Sequence, residues 1–99
     1  MTTVFLTTAD TSPWTPPGDW TDGNNTIECI GGGGKSISLG GGGGGGYAVA
    51  SNVTLGATAQ FQVGTGGVST PFNGGDTWFN GAAVNTASAG AKGGSGTTT

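Results

Sequence analysis

The sequence predicts an all-β fold: a small antiparallel sandwich or jelly-roll-like domain carrying extended, polyglycine II-like glycine segments. Three observations lead there. No stretch keeps a helical period over three turns. Apolar and polar residues instead alternate over four to six positions, between Gly, Asn, Asp and Pro. And 24 of the 99 residues are Gly, seven of them consecutive between Leu39 and Tyr47.

The elements follow in chain order. Residues 3–7, TVFLT, form the first expected strand. A loop then carries the turn chemistry of Pro16-Pro17-Gly18 and Asp22-Gly23-Asn24. Residues 26–30, TIECI, read as a strand running straight into GGGG at 31–34. Residues 35–39, KSISL, alternate cleanly and precede the seven glycines. Strands are then expected at 47–50, 52–55, 59–63, 76–79 and 82–84, seven or eight in all. The odd-numbered Ile37, Leu39, Val49, Val53, Leu55, Phe61 and Val63 carry the apolar side chains, as in antiparallel sheets with one dry face. Residues 91–99, AKGGSGTTT, have linker composition. They are expected as a flexible tail beyond a domain spanning 1–90.

The glycine runs pose the main question, because each ordered glycine loses more conformational freedom than any other residue. Polyglycine can adopt the polyproline II helix, with three residues per turn and unpaired backbone groups pointing outward. Without side chains, such helices approach closely and exchange N–H to C=O bonds. Apolar residues flank the runs tightly, and no Ser or Asn interrupts them. Residues 40–46 are therefore expected to be ordered and extended, with Gly42 and Gly44 as positions where a side chain would hold backbones apart. A floppy linker is the competing reading.

Composition narrows the function. The net charge is −3 with two basic residues, both Lys, which argues against nucleic acid. No apolar run approaches the length of a membrane span. The N-terminal MTTVFLTTAD has neither a basic n-region nor a long apolar h-region, pointing away from a cleavable secretory signal. One Cys allows no internal disulfide, and the core is small, so partner subunits, including other copies of the chain, are expected to contribute stability.

Catalytic and metal motifs are missing. With no His, the commonest general base and the usual zinc sets are out of reach. Cys29 reads as a small packing residue on a strand. Asp19, Asp22 and Asn24 lack the ligand spacing of a calcium loop, and turn capping accounts for them. GGGGKS at 31–36 imitates a phosphate loop, but no helix follows it. No cofactor or metal is expected. Trp14 and Trp20 frame the proline loop around Pro17 and are expected to pack on the first strands. Tyr47 closes the glycine run, and Trp78 is a candidate for stacking on a ligand. Asn24-Asn25-Thr26 and Asn52-Val53-Thr54 match the glycosylation sequon, for which chance is the simpler account.

Several of these motifs together resemble the glycine-rich domain of bacteriophage tail fibres and related virion proteins. The resemblance runs through TVFLT at 3–7, W-T-x-P-x-D-W from Trp14 to Trp20, and N-T-I-E-x-I-G-G-G-G from Asn25 to Gly34. It continues with the seven glycines and Tyr47, F-x-V-G-x-G-G from Phe61, and G-G-D-T-x-F from Gly74. Cys29 stands where an aliphatic residue is usual. The resemblance implies a compact, non-enzymatic β domain on the virion surface, assembled in the host bacterial cytoplasm. Its implied partners are other virion proteins of capsid or tail and further copies of itself, with a homotrimer expected. A host-receptor or glycan-binding adhesin module is the alternative.

Overall fold

The computed structural model describes residues 3–35, 42–67 and 73–96. Among these residues five strands form two antiparallel sheets. The first sheet pairs β1 (Thr26–Ile30) with β2 (Tyr47–Ser51). The second runs β3 (Phe61–Gln62), β4 (Thr77–Phe79), β5 (Ala89–Ala91), each strand beside its chain neighbour. The sheets face one another, with β1 against β4 and β5 and β2 against β5.

Their shared core is small: Cys29, Ala59, Phe61, Phe79, Ala89 and Ala91, with Leu6, Trp14, Ile27, Ala48, Ala50, Leu55 and Val63 packed around it. Side-chain size falls along the direction of the strands. At one end Trp14 meets Phe79 edge-on, and Phe61 lies opposite Phe79. In the middle Cys29 pairs with Ala48 across one sheet, and Ala91 with Thr77 across the other. At the far end the facing residues are glycines. The two sheets thus converge like a wedge.

The pairing with β1 corrects one expectation on β2. Val49 is 55% exposed, while Ala48 and Ala50 turn toward the core. The register sets Ala48 opposite Cys29 and Ala50 opposite Ile27 on the core face, which leaves Val49 beside Glu28 on the outer face. Val53 and Phe61, at the thick end, are buried as expected.

Other elements also differ from the alternation pattern. Residues 3–7 form no strand, and a turn closes them off, with Asp10 donating its amide to the Thr7 carbonyl. Residues 52–55 are not a strand, because Asn52 takes a left-handed φ of 57° that ends β2. Residues 82–84 are a turn in which the Ala83 carbonyl accepts the Thr86 and Ala87 amides. Within 59–63 the strand shortens to Phe61–Gln62, with Ala59 bridged to Trp14. Strand β5 is not among the expected strands; it and the bonded residues 92–96 carry ordered backbone past the expected boundary at 90, and residues 97–99 of the expected tail lie outside the described residues. Of the strand expected at 35–39, only Lys35 falls within the described residues, and it is not in a strand.

Candidate functional site: a glycine bundle beside a tryptophan-lined groove

The glycine segments continue the sheets. Ile30 lies opposite Tyr47, and the same register carries on as Gly31 donates to Gly46 and Gly34 to Gly43. In the second sheet Gly75 donates to Thr65 and Gly74 to Gly94, again in step with the strands before them. The bonding period nonetheless changes. Along β1 the residues that bond β2 alternate, as a strand requires. Gly31 and Gly34 bond the same neighbouring segment three residues apart, and so do Gly43, to Ser95, and Gly46, to Lys92. Three residues per turn is the period of the polyproline II helix.

Five glycine-rich segments, 31–34, 42–46, 64–67, 73–75 and 92–96, bond to one another. The first is central. It donates to Gly46, Gly75 and Gly43 and accepts from Gly94 and Gly67, so it touches all four others. Side chains hold packed sheets about 10 Å apart, against about 4.8 Å between hydrogen-bonded strands. Removing every side chain lets facing sheets close to bonding distance, and the core becomes a backbone lattice. A Cβ at Gly31 would overlap the Lys92 carbonyl, and one at Gly45 the Gly31 carbonyl.

The two expected glycine positions separate here. A Cβ at Gly42 would overlap the Gly34 carbonyl oxygen, as close packing requires. One at Gly44 meets nothing within 4 Å among the described residues, so its side chain is not sterically barred. Gly40 and Gly41 lie outside the described residues.

At the opposite end the proline loop is tied down by named bonds. The Trp14 and Trp20 rings meet edge-on at 5.7 Å, and Trp14 meets Phe79 at 5.6 Å. The Trp14 amide donates to the Ala59 carbonyl at 2.8 Å, and the Trp20 amide to the Pro17 carbonyl at 3.0 Å. Asp22 accepts from the Trp20 indole at 3.0 Å and from the Leu55 amide at 3.1 Å. Asn25 copies a backbone: its carboxamide accepts from the Val53 amide at 2.8 Å and donates to the Val53 carbonyl at 3.0 Å. These carboxylate and amide groups serve the fold. Among the described residues no group of three His, Cys, Asp or Glu could hold a metal ion.

Between this loop, β1, β3 and residues 3–6 runs a groove of about 810 Å³, lined among others by Leu6, Trp14, Trp20, Ile27, Phe61 and Trp78. Trp78 is half-buried in the middle of β4. Cys29 is buried at the groove's floor, and burial pushes its thiol pKa up, which disfavours the reactive thiolate. On the outer face of the first sheet Ile30, Tyr47 and Val49 are exposed, and the Tyr47 hydroxyl donates to the Glu28 carboxylate. That bond raises the hydroxyl pKa above the usual tyrosine value, with smaller contributions from desolvation and from the Glu28 charge.

Sequence reasoning named Trp14, Pro17, Trp20, Gly42 and Tyr47, and the structure divides them between the two ends. It did not single out Gly45 within 40–46, and it missed Gly31, Gly74 and Gly94, which lie in the shorter glycine runs. Comparison with protein-family models, with curated proteins and with solved structures finds no match to this chain. No helix among the described residues is long and apolar enough to cross a membrane.

Proposed function

We propose that the protein is a non-enzymatic structural component of a bacteriophage virion surface, a capsid or tail decoration or part of a tail fibre. The observation that carries the reading is the glycine bundle. Its amides and carbonyls bond across five segments, forming a stiff end to a molecule 48 × 23 × 21 Å in extent. A stiff, narrow body suits a role of projecting or bridging, where shape is the function. The family resemblance of its tryptophan, TIE and glycine motifs supplies the virion context. Quantitative mass spectrometry of purified particles tests it. Copies in the hundreds fit decoration, a few copies fit a fibre, and absence from particles overturns the proposal.

A second reading, an adhesin module contacting a host receptor or glycan, is favoured by the exposed Phe5, Ile30, Tyr47 and Val49. Particles lacking the protein that still adsorb to cells at the normal rate count against it.

A further inference from the structure

The two sheets are unequal, and the mismatch has a position. Strand β2 lies over β5 and β1 over β4 and β5, so no strand of the first sheet covers β3. The groove runs there, lined by β1, by Phe61 and Gln62 of β3 and by Thr77–Phe79 of β4.

The β1 edge facing it is unpaired among the described residues. Asn25 accepts from the Asn52 amide, and Gly31 donates to Gly46, so odd-numbered residues spend their polar groups on β2. By alternation, Thr26, Glu28 and Ile30 point their amides and carbonyls to the other side. An open edge of this kind is a template for another strand.

A strand-forming segment already lies on the rim. Residues 3–6, T-V-F-L, line the groove, carry the β-branched and aromatic residues that favour strands and make no backbone–backbone hydrogen bond among the described residues. Leu6 packs against the core, whereas Val4 is 46% and Phe5 84% exposed. Alternation puts Val4 on the face of Leu6 and Phe5 on the opposite face.

We propose that residues 3–6 are a strap that closes the groove by adding to the free edge of β1 as its third strand. Closure brings Val4 in beside Leu6 over β3 and leaves Phe5 outward, on the side of Ile30, Tyr47 and Val49. It equalises the sheets and caps an edge able to recruit a foreign strand.

Amide hydrogen exchange on the full chain tests this, comparing the unmodified protein with Val4→Pro and Phe5→Pro. Neighbouring amides in a strand point to opposite edges, so one of the two prolines removes an edge bond in any register. Both sites are substantially exposed, and the β4 amides report whether the fold survives. Slow exchange at Glu28 and Ile30, accelerated at least about tenfold by one proline variant with β4 unchanged, is the expected result. Fast exchange at both amides in the unmodified chain overturns the strap. So does protection that grows with protein concentration, which places the added strand on another molecule.

Discussion

At the residue scale, neighbouring glycines differ in role. Gly45→Ala drives a methyl into the Gly31 carbonyl, while Gly44→Ala meets open space among the described residues. The first should cost about 3 kcal/mol, the upper range of overpacking. The second should be neutral or stabilising by about 0.5 kcal/mol, through the unfolded chain. Urea denaturation of the pair reads both. Trp14→Ala removes a ring packed on Trp20 and Phe79 and should cost about 3 kcal/mol. An unchanged midpoint would instead place the ring in a ligand-facing role. Tyr47 is the single tyrosine, so its titration is read directly by ultraviolet absorbance. Its hydroxyl should stay protonated beyond the usual tyrosine range, and Glu28→Ala should bring it back down, because bond and charge leave together.

At the element scale, β5 and the segment after it hold the two sheets together. Ala89 and Ala91 are buried, and residues 92–96 accept amides from Gly43, Gly46 and Gly74. Small domains are stable by only about 5 to 15 kcal/mol. A chain ending at residue 88 should therefore lose cooperative unfolding, whereas one ending at 96 should keep it, as followed by circular dichroism during denaturation. The short strands explain why this element is hard to see in advance. Ala-Gly-Ala has weak strand propensity by itself. It is a strand because its pairing with β4 and its burial against β1 and β2 make it one.

At the scale of the whole molecule, the fold is a wedge whose core thins from tryptophan to alanine to bare backbone. That design keeps hydrogen bonding where hydrophobic burial runs out. The side-chain core remains small, so association with further copies or with a particle is the expected source of extra stability. Sedimentation at micromolar concentration should show an oligomer, with a melting temperature that rises with concentration. A well-folded monomer independent of concentration would count against assembly as part of the proposed role.

The sequence by itself determined the all-β class, because alternation without helical period leaves no other way to bury one face. It determined β1 to the residue, since TIECI is bounded by an Asn and a glycine run. It also indicated that residues within 40–46 are extended and closely packed, through the absence of any side chain between apolar neighbours. Only the tertiary structure decided which backbone each glycine bonds, because identical residues carry no pairing code and register passes to them from the strands they continue. Tertiary structure likewise turned Val49 outward and drew residues 91–96 inward. The first follows from the register of β2 on β1 and the second from backbone bonds to other segments, and no single segment contains either.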